Sequence, residues 1–282
     1  MKSCENQIGP NSDYFVYTPS KTALEMFFYP LQTGHFYYEA GYSLRREAYD
    51  SFLLMYVKSG NMCLEWEGQT FSFGADTFLL LDCYKPHAYA CPTDCECYWC
   101  HFDGHLARPW YKNIVSRLSN LFSLPDPAAF DKLTAIYDIF ALGQPIREPL
   151  LSKWLADILT LFLLFTPLTA DDSDHTHIIE NIITHINEHF TQNLTVERLA
   201  ELAGFSQYHF IRIFKKNTGF TPHEYIINTR IASAKYLLKN TSMSVKDICF
   251  GTGFSYESVF CSTFKRHMGL TPAQYRQQST FS

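Results

Sequence analysis

The chain has 282 residues, 46% hydrophobic and 18% charged, with a formal net charge of −5. That length suits two domains, and that apolar content excludes a disordered chain. Nine cysteines, an odd number, argue against a closed disulfide framework and for reduced thiols in the cytoplasm.

The N-terminal stretch MKSCENQIGPNSD has no apolar core and does not read as a signal peptide. Residues 1–105 read as strands. Aromatic and β-branched residues recur in short runs, as in Ser51 to Val57, Thr77 to Leu81 and Cys95 to Phe102. Turn signals separate them at Ser59-Gly60-Asn61, Glu67-Gly68-Gln69 and Gly74-Ala75-Asp76. Short strands at this spacing predict a sandwich or small barrel. Cys91, Cys95, Cys97 and Cys100 have no ribbon or finger spacing and read as packing residues rather than a zinc or redox site. In an extended strand Cys95 and Cys97 face one way and Cys100 the other.

From residue 106 to 165 the period changes. Trp110 to Leu121, Phe130 to Leu142 and Leu150 to Phe165 carry apolar residues at helical spacing. The last is leucine-rich and is expected to pack on the strands, on a second copy of the chain, or on both. The most apolar run, Trp154 to Leu168, contains Asp157 and Pro167 and is too short to span a bilayer. Residues 166–175 are polar and acidic and read as a linker. Residues 176–282 form the last region, opening with a helix from Thr176 to Phe190. It carries 11 Lys+Arg against 7 Asp+Glu, whereas residues 1–175 carry 12 against 21.

Within the last region one motif occurs twice. The first copy runs Leu199-Ala200, Ala203-Gly204-Phe205-Ser206, Phe210, Phe214-Lys215-Lys216, Gly219, Thr221-Pro222 and Tyr225. The second runs Ile248, Gly253-Phe254-Ser255, Phe260, Phe264-Lys265-Arg266, Gly269, Thr271-Pro272 and Tyr275. The offset is 49 at the glycine and 50 from the phenylalanine onward, so the second copy has one extra residue after its serine. Each copy predicts a helix ending at a glycine, a serine N-cap, and a second amphipathic helix: a helix-turn-helix unit. Thr195 is a candidate N-cap, and Ser244 with Asp247 a candidate capping box. The second helix of the first copy presents Gln207, Tyr208, Ile211, Arg212, Lys215 and Lys216. That of the second copy presents Glu257, Ser258, Cys261, Ser262, Lys265 and Arg266. A basic surplus in this region suits phosphate attraction. Arg212 can read a guanine edge, Ile211 a thymine methyl, and Tyr208 base or phosphate, while the second copy offers short side chains and basic groups a turn further on. The first unit is therefore expected to specify sequence and the second to hold the backbone.

This double motif closely resembles the C-terminal DNA-binding domain of the AraC/XylS family of bacterial transcription regulators. The resemblance implies two helix-turn-helix units joined by a long helix, here His223 to Lys239, and double-stranded promoter or operator DNA as partner. The N-terminal half resembles the family more loosely, through Arg45, Tyr56-Val57 with Gly60, Gly74-Ala75-Asp76, Pro86-His87-Ala88-Tyr89 and Trp99-Cys100-His101-Phe102-Asp103-Gly104. It implies a cupin-like barrel that binds a small-molecule effector, commonly a sugar. It also implies activation of transcription, contact with RNA polymerase and a homodimer. The fold class expected is multi-domain α+β: a β-barrel with a helical segment, then an all-α domain.

By the same resemblance Arg45 is the candidate inward anchor, with Tyr89, Trp99 and His87 near it. Arg45 also reads as a surface ion pair, and His87 as a satisfied core histidine. A metal site needs three or four ligands, and only His87 stands in a matching place, so no metal, cofactor, catalytic residue or enzyme activity is expected. Two alternatives differ in kind: a regulator whose barrel serves only dimerisation or polymerase contact, and a cupin-type enzyme with a DNA-binding tail.

Overall fold

The computed structural model describes residues 6–165 and 170–278. The chain divides into two compact units, Met1–Pro167 and Leu168–Ser282.

In chain order the first unit runs β1 (Asp13–Val16), α1 (Lys21–Met26), β2 (Tyr29–Tyr38), β3 (Ser43–Arg46), β4 (Phe52–Ser59), β5 (Asn61–Trp66), β6 (Gln69–Gly74), β7 (Thr77–Asp82), β8 (His87–Ala90), β9 (Cys95–Asp103), α2 (Ala107–Leu118), β10 (Leu121–Phe122), α3 (Ala128–Ala141) and α4 (Glu148–Leu164). The strands form a six-stranded sheet, β1-β2-β9-β4-β7-β10, and a four-stranded sheet, β3-β8-β5-β6. All pairings are antiparallel. The sandwich or small barrel expected over these strands takes the form of two antiparallel sheets that do not close into one barrel.

The central strands are buried on both faces, which is why they read as unbroken apolar runs. Along β4, Leu53, Met55 and Val57 face the smaller sheet, while Phe52 and Leu54 face the helices. Along β9, Cys95, Cys97 and Trp99 face the smaller sheet and Cys100 and Phe102 the helices. The helical layer buries Ile114, Leu133, Ile136, Leu155, Ile158 and Phe162 against that outer face. The helix expected over Trp110 to Leu121 ends earlier. Ser119 takes φ 64° and ends α2. Asn120 Nδ2 then donates to the Leu80 carbonyl at 2.7 Å, and Leu121-Phe122 pairs with β7. Helix α1 was not expected within the strand region; the Ser20 hydroxyl caps it.

The second unit is helical: α5 (Ala170–His189), α6 (Val196–Leu202), α7 (Gln207–Thr218), α8 (Pro222–Asn240), α9 (Val245–Gly251), α10 (Glu257–Met268) and α11 (Pro272–Gln278). Helix α5 starts at Ala170, so the second half of the expected linker 166–175 is helical instead. Residues 166–169 lie outside the described residues. The unit has two cores. Ile182, Ile186, Leu199, Phe210, Phe214 and Ile226 form one. Ile231, Leu238, Ile248, Phe254, Phe260 and Phe264 form the other. Helix α8 joins them, giving Ile226 to the first and Ile231, Ala234 and Leu238 to the second. Its 19 residues span about 28 Å. No helix among the described residues is long and apolar enough to cross a membrane.

Candidate functional site

The turn between α6 and α7 is set by Gly204. With φ 70° it takes the left-handed C′ position after Ala203. The Phe205 amide donates to the Ala200 carbonyl at 2.9 Å and the Gly204 amide to the Glu201 carbonyl at 3.0 Å, a Schellman pair. The second copy repeats it. Gly253 has φ 86°, Phe254 donates to Cys249 at 3.1 Å and Gly253 to Phe250 at 3.0 Å.

The helix starts differ from expectation in part. Ser206 occupies the N-cap of α7, but its side chain makes no capping bond. In the second copy Tyr256, not Ser255, is the N-cap of α10. The extra residue that changes the offset from 49 to 50 displaces the serine by one position. The Thr195 hydroxyl caps α6 by accepting from the Arg198 amide, and that of Ser244 caps α9 by accepting from the Asp247 amide. Two further caps follow the motif's Thr-Pro step. Thr221 and Glu224 form a capping box at α8, and the Thr271 and Gln274 side chains satisfy each other's amides at α11. The spacing Thr-Pro-x-Glu/Gln was the available signal.

These caps hold α7 and α10 so that one face is buried and the other open. Phe210, Ile213 and Phe214 are buried in α7, and Phe260, Thr263 and Phe264 in α10. On the open face of α7, Gln207, Tyr208, Arg212, Lys215 and Lys216 are exposed and Ile211 half-buried, with Tyr208 83% exposed. Gln207 donates to Glu197 Oε1 at 2.9 Å. Arg212 makes no ion pair among the described residues; its nearest polar contact is His209 Nδ1 at 3.4 Å. On α10, Glu257, Ser258, Ser262, Lys265 and Arg266 are exposed and Cys261 half-buried. Tyr256, which sequence reasoning left out, is 70% exposed at the head of this helix. Lys215 and Lys265 stand in the last turns of their helices, where cations suit the helix dipole.

The first unit holds a cavity of about 210 Å³ between its two sheets. Tyr89 from β8 and Trp99 from β9 both line it, with Gln32, Arg46, Tyr49 and His101. Larger concavities, such as one of about 570 Å³ over Phe52, Tyr84 and Arg108, are shallower and open to solvent. Arg45, the expected anchor, is not on the wall of the cavity between the sheets. Its side chain is 65% exposed and pairs with Glu65. The reason is strand alternation. In the β3–β8 register Leu44 faces Tyr89 and Arg46 faces His87, so Leu44 and Arg46 turn inward and Arg45 turns out. Arg46 is the residue the expectation missed, and the inward Leu44 two positions earlier was the signal for it.

His87 is buried beside Trp66 and does not line the cavity with Tyr89. Its Nδ1 donates to the Lys85 carbonyl at 2.8 Å, and Nε2 has no partner among the described residues. Burial pushes its pKa down, and the Arg46 charge adds to this. His101 is buried, with Nδ1 2.8 Å from Ser51 Oγ. Burial first, then Arg46 and His87, push it from 6.5 down to about 3, so its ring is neutral. Trp99 Nε1 is buried on the cavity side of β9 with no acceptor among the described residues.

Cys95 Sγ lies 3.3 Å from Cys97 Sγ, and Cys97 Sγ 3.6 Å from Met62 Sδ, in the core between the sheets, while Cys100 faces the helices. No group of three or more His, Cys, Asp or Glu among the described residues is placed to hold a metal ion.

Two family models match the chain: a helix-turn-helix domain over residues 199–278 and an AraC-like ligand binding domain over residues 29–203. The chain is 26% identical over 263 residues to the MmsAB operon regulatory protein of Pseudomonas aeruginosa, covering 89% of this chain and 83% of that one. It is 25% identical over 262 residues to the Msm operon regulatory protein of Streptococcus mutans, covering 85% and 89%. To the bifunctional transcriptional activator/DNA repair enzyme AdaA of Bacillus subtilis it is 39% identical over 101 residues, covering 36% of this chain and 48% of that protein.

Proposed function

The chain belongs to the AraC-like transcription regulators, with a DNA-binding helix-turn-helix domain and a ligand-binding domain, and from that premise we propose that a small molecule held between its sheets changes how it binds duplex DNA. The observation that carries the DNA half of this reading is the pair of open faces on α7 and α10, each with basic residues and no ion pair for Arg212, Lys265 or Arg266 among the described residues. The cavity between the sheets, with Arg46 on its wall, supports the effector half. On this reading Gln207, Tyr208, Ile211 and Arg212 meet base edges or nearby phosphates, and Lys215, Lys216, Lys265 and Arg266 meet phosphates. Two copies bind paired half-sites, contact RNA polymerase from there and activate transcription.

The test is a mobility-shift experiment with the full chain on chromosomal fragments upstream of neighbouring genes. One fragment should stay bound under excess non-specific competitor. A variant carrying Lys215→Glu and Lys265→Glu should release it. Uniform loss of every fragment to competitor would remove the sequence-specific reading.

A further inference from the structure

The cavity between the sheets has one permanently charged side chain on its wall, Arg46, and no aspartate or glutamate. Among the described residues Arg46 makes no ion pair; its guanidinium carbon lies 4.7 Å over the Tyr49 ring. A half-buried cation without a counter-charge is costly. The planar guanidinium fork matches a carboxylate, and stacking on an aromatic face fixes its plane. The rest of the wall mixes apolar surface from Phe36, Leu53 and Met55 with polar groups from Gln32, Tyr14 and His101. At about 210 Å³ the cavity is below the roughly 300–1,000 Å³ of drug-sized ligand sites.

We infer that the effector is a small organic acid, its carboxylate held by Arg46 and its short body against Phe36, Leu53 and Met55. The inference rests on the reading of this cavity as the effector site. It departs from the sugar expected from the family resemblance. A neutral sugar leaves the Arg46 charge uncompensated.

The test titrates the full chain by calorimetry with acetate, butyrate and benzoate, with the amide of each, and with arabinose and glucose. At least one acid should bind at millimolar concentration or below, and its amide should bind at least about tenfold more weakly, since a charge-assisted bond is lost. Arg46→Gln should weaken that acid by a similar factor, and Arg45→Gln, on the outer face, should not. The acid–amide comparison uses the wild-type chain and stands even if Arg46→Gln does not fold. Equal affinity for acid and amide, binding of a sugar but no acid, or no binding of any acid overturns the inference. A sugar that binds and shifts affinity for duplex DNA leaves the effector reading intact. An acid that binds without changing DNA affinity overturns the effector reading and leaves the acid site standing.

Discussion

Gly34 and Trp99 stand opposite each other in the β2–β9 register, and the indole fills the space a side chain at position 34 would take. A Cβ there would fall 2.5 Å from Trp99 Cζ2 and 2.6 Å from Cε2. The missing side chain thus seats the ring on the cavity wall. Gly34→Ala must displace that ring, an overpacking cost of about 1–3 kcal/mol. Thermal unfolding should show the loss, and calorimetry should show weaker effector binding. Wild-type stability together with wild-type affinity would contradict this placement of Trp99.

The two turn glycines should respond unequally. Gly204 and Gly253 both have positive φ, so alanine is strained at either, by about 1 kcal/mol. A Cβ at 204 meets nothing within 4 Å, whereas one at 253 would fall 2.7 Å from the Phe190 carbonyl and 2.8 Å from that of Thr191. Gly253→Ala should therefore destabilise the chain clearly more than Gly204→Ala in denaturant unfolding. Equal losses would mean that the α9–α10 turn is not packed against the end of α5.

A pH dependence follows from His101. Its folded pKa is depressed to about 3 from 6.5, chiefly by burial. Between those values the unfolded chain takes up a proton that the folded chain refuses. Stability is full above pH 6.5 and falls as pH drops toward 3. Between pH 6.5 and about 5, above most carboxylate titrations, His101→Gln should flatten the decline in melting temperature. His87 is shifted in the same direction, so part of the slope should remain. An unchanged slope in His101→Gln would show that His101 is not the group responsible.

Much of the DNA-binding half was legible in the sequence, because each of its devices is local. A glycine in a left-handed turn, a threonine before proline and phenylalanines four apart act within a turn or two of helix. The sensor cavity was legible only in outline, because it depends on pairing between distant strands. Arg45 and Arg46 differ by one position, and a one-residue step in a strand reverses the face. Which arginine turns inward is fixed by pairing with β8, forty-odd residues away, although Leu44 already marked the inward phase. The linker expectation failed for a different reason. Acidic residues that read as a solvated spacer also suit a first helical turn, and α5 begins there.

Lys265 should act on affinity without acting on sequence. It is exposed, in the last turn of α10, and on the proposed reading it meets a phosphate. Lys265→Ala should weaken binding to all duplexes alike and reduce the slope of log affinity against log salt by about one. A sequence-dependent loss would assign Lys265 to base readout.

The central claim is that α7 reads sequence while α10 mainly holds the backbone. The most direct measurement is selection of bound duplexes from a randomised pool by the wild-type chain and by Arg212→Ala. The wild type should yield a motif with more information under one helix-turn-helix unit than under the other. Arg212→Ala should relax one base position, a loss of about 1–3 kcal/mol of discrimination there. Equal information under both units, or an unchanged motif in Arg212→Ala, would contradict the account.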